Sequence, residues 1–246
     1  MRRAATAMLL GGLMAAGLGC SRKAAPTATT TSPSTPATAS AAGVDPPGTY
    51  MGRTLATPMG WQGADWLERD DRDATERPEH VLDVLGVGPG AVVGDVGCGS
   101  GYFTTRLAKR VGPSGRVLAT DLQPQMLDLL RKKLDAQKIG NVVPLLATET
   151  DAKLPRGELD LVLMVDVYHE LPRPAETLAQ IRAALKPTGR VALVEYRAED
   201  PDVPIKPEHK MTLAQIKKEL GANELVFRSS DESLPRQRIV IFGRAP

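Results

Sequence analysis

Residues Val92 to Gly101 read V-V-G-D-V-G-C-G-S-G. An apolar run closes on Asp95, glycines follow at 97, 99 and 101, and the amphipathic segment Tyr102–Val111 begins at once. Strand, glycine turn and helix in that order present bare backbone to a nucleotide-like ligand. Glycine suits such a turn because a side chain would block either the backbone angles or the ligand's approach. Asp121 ends the next apolar run. Asp166-Val-Tyr168-His169-Glu170 follows a fourth, and Glu195-Tyr196-Arg197 closes a fifth. His169 could take a proton near neutral pH; equally, His169 or Glu170 could cap the following helix or bond to the loop. Glu195 could hold a substrate or pair with Arg197. His209-Lys210, after the segment Pro201–Pro207, reads as part of a substrate lid or as a connector. Cys98 reads as a small residue near the ligand, His80 as surface or packing. Trp61 and Trp66 read as a flap over the ligand or as cover for the core. Three scattered histidines and no clustered cysteines give no recognisable metal-site spacing.

The elements that must position these groups alternate. The periodicity predicts a helix over Glu76–Leu85, a strand over Val92–Val96 and a helix over Tyr102–Val111. A strand over Arg116–Thr120 and a helix over Pro124–Gln137 follow, with Met126, Leu127, Leu130 and Leu134 as its apolar face. Val142–Leu146 and Leu159–Val165 are strands three and four. Pro174–Leu185 is a helix that Lys186-Pro-Thr-Gly189 breaks, and Arg190–Glu195 is strand five. A helix over Met211–Leu220 precedes two closing strands, Glu224–Arg228 and Arg238–Phe242. Strands alternating with helices imply a parallel sheet covered on both faces. The last two strands, with no helix between them, imply an antiparallel hairpin at one edge.

Of the 246 residues, 42% are apolar and 24% charged, the composition of an ordinary globular chain. The net charge of +2 is concentrated at the start. Residues 50–246 hold 27 basic and 28 acidic side chains, so the domain has no basic excess for a nucleic-acid backbone. Arg2 and Arg3, a short apolar run and small residues before Cys20 make residues 1–19 a secretory signal. Cysteine in that place resembles a bacterial lipoprotein signal, with Cys20 as the lipidated first residue, although Gly17 stands where that signal usually has Leu. From Ala24 to Thr49, 22 of 26 residues are Ala, Thr, Ser or Pro. Such a segment buries too little apolar surface to offset its ordering entropy. The expected organisation is signal (1–19), lipidated Cys20 with a tether (20–49), and one domain (50–246). The expected location is the bacterial cell envelope, periplasmic and membrane-anchored.

The order of elements with D-V-G-C-G-S-G at the first turn resembles the class I S-adenosylmethionine-dependent methyltransferases, of the quinone and small-molecule type. The resemblance covers roughly Glu76 to Phe242. It implies an α/β, doubly wound, Rossmann-like fold of seven strands, mostly parallel with an antiparallel C-terminal edge hairpin. It also implies S-adenosyl-L-methionine as cofactor, held by Asp95, Gly97, Gly99, Gly101, Asp121, Leu122, Asp151, Ala152 and Asp166. Asp121 would accept the ribose hydroxyls, and Asp151-Ala152 would flank the adenine. A dinucleotide-binding fingerprint needs glycine three places after Gly99, where Tyr102 stands. The implied activity is methyl transfer to a small-molecule or lipid-like acceptor, with His169, Glu170 and Glu195 as candidate catalytic residues. The alternative is a secreted Rossmann-like binding module without turnover. The membrane is an expected partner through the lipid anchor and nucleic acid is not; the sequence leaves the oligomeric state open.

Overall fold

The computed structural model describes residues 45–245. The expected signal, Cys20 and the tether up to residue 44 lie outside the described residues. Asp45 accepts the Met51 N–H at 2.8 Å, and β1 (Thr49–Tyr50) pairs antiparallel with β2 (Arg53–Thr54). A 3-10 turn over Trp61–Glu68 leads to α1 (Arg72–Glu76) and α2 (Pro78–Leu85). Then come β3 (Val92–Val96), α3 (Tyr102–Val111), β4 (Arg116–Asp121), α4 (Pro124–Gln137), β5 (Val142–Leu146) and β6 (Leu159–Val165). The chain continues through α5 (Pro174–Ala184), β7 (Leu185–Arg197), β8 (Lys210–Met211), α6 (Leu213–Ala222), β9 (Leu225–Asp231) and β10 (Gln237–Arg244).

The main sheet runs β5-β4-β3-β6-β7-β10-β9, with β8 pairing to β7 off that path. Pairs from β5 to β7 are parallel, whereas β10 lies antiparallel between β7 and β9. This is the expected doubly wound sheet with its antiparallel C-terminal hairpin. The pleat sorts the core. Leu161, Leu163, Ala192, Val194, Ile239 and Ile241 face the layer of α2 and α3. Their neighbours Val162, Met164, Val191, Leu193, Val240 and Phe242 face α5 and α6. Alternate residues of a strand point to opposite faces, so an apolar run with both faces covered fills two cores at once. The α4 positions Met126, Leu127, Leu130 and Leu134 are all buried, as their spacing predicts.

Three of the boundaries that differ from the sequence expectation have a local cause. The helix expected over Glu76–Leu85 is divided at Arg77, which has φ 49°. The ring of Pro78 disfavours a right-handed helical conformation in the residue before it and itself makes a good first helical residue. The Lys186–Gly189 break is part of β7, where Leu185 pairs with Leu159 and a register shift before Leu161 absorbs the irregularity. The last helix starts at Leu213, because Thr212 caps it by accepting the Gln215 N–H, while Met211 pairs with Arg197.

The turn after β3 is pinned to β4: the N–H groups of Gly97 and Cys98 both donate to the Thr120 carbonyl, at 2.8 and 2.9 Å. Gly101 then starts α3 with φ 88°, and a Cβ there would run into Leu130 of α4. Gly101→Ala therefore combines left-handed strain with overpacking and should cost about 2–4 kcal/mol. Urea unfolding measures this; a cost below about 0.5 kcal/mol, the range of neutral surface changes, contradicts it.

Candidate functional site

A cavity of about 710 Å³ opens at the carboxyl ends of β3, β4, β6 and β7. Gly97 and Gly99 form part of its wall with φ 69° and 53°. A Cβ on Gly97 would lie 2.5 Å from Val167, so the cradle tolerates no side chain there. Asp121 is buried on the same wall, and its two oxygens accept the N–H groups of Gly99 and Gln123, each at 2.9 Å. Burial raises its pKa, and those backbone donors oppose the rise. Thr120 lines the cavity, and its buried hydroxyl is, among the described residues, the one buried side-chain polar atom lacking a partner. A turn shaped for bare backbone and a pinned carboxylate beside it fit the methionine portion and the ribose hydroxyls of S-adenosylmethionine.

Of the residues the sequence points to as cofactor contacts, Gly97, Gly99, Asp121, Leu122, Ala152 and Asp166 line this cavity. Asp95, Gly101 and Asp151 do not. Asp95 is buried behind the turn, where Thr104 Oγ1 donates to it at 2.5 Å. Burial pushes its carboxyl up to about 6, with Thr104 opposing and Asp121 adding to the rise. Gly101 packs against α4. Asp151 turns to Lys153, whose backbone N–H and ammonium each lie 2.8 Å from it, and these bonds hold its carboxyl below the usual range. Cys98 is buried; burial, with Asp95 and Asp121 nearby, keeps its thiol protonated and makes a nucleophilic role untenable.

Opposite the glycine turn, the loop after β6 brings Asp166, His169 and Glu170 to the cavity. Asp166 takes a left-handed φ of 53°, and Gln237 donates to both its oxygens at 2.9 and 2.7 Å. Desolvation, then the Glu76 and Glu195 carboxylates, push the Asp166 carboxyl well above its ordinary range. Glu195 does not line the cavity. It is fully buried on β7, accepts the Tyr168 N–H at 3.0 Å, and lies 2.6 Å from His169 Nδ1. Neither role read from sequence holds: Glu195 is kept from the cavity by its contact with His169, and Arg197 instead donates to backbone carbonyls between Glu232 and Gln237. Burial opposes a proton on His169, but Glu195, Glu170 and Asp166 outweigh it and raise the imidazole to about 10. His169 Nε2 faces His209 Nδ1 at 3.1 Å, so the 207–209 turn belongs to the site.

The N-terminal segment supplies what sequence reasoning missed. Thr57, Pro58, Met59, Trp66, Leu67, Arg69, Arg72 and Glu76 all line the cavity. Glu76 is buried and receives Arg69 at 2.5 Å and Arg72 at 2.8 Å. Arg72 also lies over the Tyr102 ring, 4.0 Å from its centroid. Gln123 ties the segment to the cofactor side, accepting from the Trp61 N–H and donating to the Met59 carbonyl. Arg53 reaches Glu219 of α6 at 2.7 Å, and Glu219 also receives the Tyr168 hydroxyl at 2.7 Å. Trp66, 55% exposed under the Arg69 guanidinium, edges the cavity, while Trp61 is exposed outside its lining; neither fills the core. One signal was available: Arg72 and Glu76 stand four residues apart, a spacing that pairs charges on a helix. His80 is a surface group 2.6 Å from the Ser233 hydroxyl.

Residues 95–191 match the family profile described as a methyltransferase domain. The chain is 31% identical over 118 residues to a ubiquinone/menaquinone biosynthesis C-methyltransferase from Hydrogenovibrio crunogenus, covering 48% of this chain and 46% of that one. It is 36% identical over 104 residues to a demethylmenaquinone methyltransferase from Lactobacillus johnsonii, covering 41% and 42%. The match thus spans less than half the length of these relatives. A crystal structure of a SAM-dependent methyltransferase from Aquifex aeolicus superposes with a TM-score of 0.73 at 26% identity, covering 76% of this chain and all of that one. Residues 95–191 thus resemble a methyltransferase domain, and the fold is the one seen in the SAM-dependent methyltransferase.

The folded-state value for Asp95, about 6 against 3.8 for the free side chain, carries a stability consequence. A carboxyl whose pKa is raised by folding supports the folded state below pH ~4 and loses that support as pH rises through about 6. Asp95→Asn removes the loss, so the variant should gain on the wild type by on the order of 2–3 kcal/mol between pH 4 and pH 8. Denaturant unfolding at the two pH values measures it; a stability difference unchanged by pH contradicts it.

Proposed function

We propose that this protein transfers a methyl group from S-adenosylmethionine to a small or lipid-like acceptor bearing an ionisable oxygen or an acidic carbon. The observation that carries this reading is the continuity of one cavity from the Gly97–Gly99 cradle and Asp121 to His169 and Glu170. When bound, the cofactor supplies an electrophilic methyl on a sulfonium sulfur. Asp121 holds the ribose hydroxyls, and the glycine turn lets the backbone close on the methionine portion. Leu122 and Ala152 give the adenine apolar walls. Met59, Trp66 and Leu67 cover the mouth and exclude water, which strengthens every polar contact within. The acceptor enters beside Asp166, His169, Glu170 and Tyr196. Its lone pair forms the new bond to carbon while the carbon–sulfur pair stays on sulfur, leaving a neutral thioether. His169 and Glu170 form the polar wall that holds the acceptor's oxygen as its proton passes to solvent, and Glu195 behind them fixes the imidazole. The names of the quinone-modifying relatives support an aromatic, quinone-like acceptor, as does the cavity's apolar cover.

The lipoprotein-like N-terminus supports a second part of the proposal: the domain is tethered in the bacterial envelope through acylated Cys20 and the Ala/Thr/Ser/Pro spacer. A tether would hold the cavity near lipid-dissolved acceptors. In cells fed labelled fatty acid, the wild type should take up label and Cys20→Ser should not; equal labelling of the two contradicts the anchor.

For the cofactor, calorimetry on the purified chain should show binding of S-adenosylmethionine. Asp121→Ala should weaken it by ~1.5–3 kcal/mol through loss of charge-assisted hydrogen bonds. Absence of heat with the wild type, or equal affinity in the variant, would sink the assignment.

A further inference from the structure

Three side chains with metal-ligating atoms, which the sequence leaves scattered, converge at the acceptor end of the cavity. They are His169 and Glu170 from the loop after β6 and His209 from the turn before β8. His169 Nε2 and His209 Nδ1 are 3.1 Å apart; Glu170 Oε1 lies 3.3 Å from His209 Nδ1 and 3.8 Å from His169 Nε2. A tetrahedral ion with bonds of 2.0–2.1 Å sets its ligand atoms about 3.3 Å apart. The three atoms thus form one face of such a polyhedron. We propose that His169, Glu170 and His209 bind a divalent transition-metal ion, zinc by donor type and spacing, with its open position toward the acceptor.

Three further observations bear on the site. First, Glu195 lies 2.6 Å from His169 Nδ1 and holds the proton there, so Nε2 is the nitrogen that would give up its proton to an ion, on the side of the other two donors. A carboxylate behind a ligating imidazole fixes its tautomer and orientation and raises its basicity as a ligand. Second, charge favours a cation. Glu170, Glu195 and Asp166 adjoin the place, the guanidinium groups of Arg53 and Arg72 are engaged by Glu219 and Glu76, and Lys206 is the ammonium on the same cavity wall. Third, the rings of His169 and His209 meet edge to face at 78° with centroids 5.0 Å apart, which lets two ring nitrogens point at one place without stacking. All three ligands line the cavity, so a fourth position is open to a substrate atom. Two imidazoles and one carboxylate with an open position is a donor set of catalytic zinc, whereas magnesium and calcium take oxygen ligands.

An ion there would serve the methyl transfer proposed above, on which this last step rests. It would hold the acceptor's oxygen as the anion, the proton passing to solvent, and orient that oxygen or its neighbouring carbon toward the methyl. The binding itself does not depend on that reading. Chelator-treated full-length protein, titrated with Zn²⁺ by calorimetry and with Co²⁺ by visible spectroscopy, should bind one ion and give the intense bands of tetrahedral cobalt. His209 and Glu170 are partly exposed, at 27% and 18%, so their variants should fold, as thermal unfolding will check. His209→Ala and Glu170→Gln should each weaken zinc by about 100-fold or more, and Glu195→Gln by about 10–100-fold. No binding by the wild type, or binding undiminished in both His209→Ala and Glu170→Gln, overturns the site. S-adenosylmethionine affinity is measured separately. Zinc binding without cofactor binding would defeat the methyl-transfer reading and leave the metal site standing.

Discussion

Five carboxylates are buried among the described residues: Glu76, Asp95, Asp121, Glu195 and Glu219. A carboxylate leaves water at a cost of several kcal/mol unless charge or donors meet it. Each of these has its own donors. Arg69 and Arg72 meet Glu76, Thr104 meets Asp95, and two backbone N–H groups meet Asp121. His169 and the Tyr168 N–H meet Glu195, while Arg53 and the Tyr168 hydroxyl meet Glu219. Glu219 draws the segment onto the domain through Arg53, and Glu76 gathers Arg69 and Arg72 within the segment that covers the cavity. The fold at this end depends on that requirement as much as on the apolar core beneath it.

The same requirement shapes the chemistry. A site rich in buried acids favours cationic occupants, and the proposed ones are a sulfonium cofactor and a divalent ion. In the proposed complex Asp121 would answer the ribose hydroxyls, its backbone donors keeping it oriented at the turn. Asp95, lacking cationic partners and displaced from the cavity, serves the turn through Thr104 instead. Two acids adjoining one loop thus divide into binding and bracing roles according to which donors reach them. Glu195 braces likewise: it touches no part of the cavity, yet it decides which nitrogen of His169 faces the acceptor.

The sequence carries the sheet and the cofactor turn clearly. The strands at 92–96, 142–146 and 159–165 and the helix at 124–137 agree residue for residue with the sequence expectation; all but the edge strand 142–146 bury most of their apolar positions. The Arg77 break has a local cause in Pro78 that a stricter reading would have caught. The cover over the cavity has no such signature. Glu68 to Glu76 is dense in charge, a pattern that normally marks a solvated face; the four-residue spacing of Arg72 and Glu76 shows that they can pair, but not that the pair is buried. His209 lies 40 residues from His169 beyond a proline-bearing connector, so spacing gave no sign that the two rings meet. Long-range convergence of polar groups is a property of the fold, and a single sequence does not display it.

The account centres on a cofactor lying along the Gly97–Gly99 turn with its methyl toward His169 and Glu170. A crystal structure of the protein soaked with S-adenosylmethionine tests that directly. It should show the ribose hydroxyls on Asp121, the adenine between Leu122 and Ala152, and the sulfonium methyl facing the His169–Glu170–His209 wall. Density for the cofactor elsewhere on the molecule, or with its methyl turned away from that wall, would contradict the account.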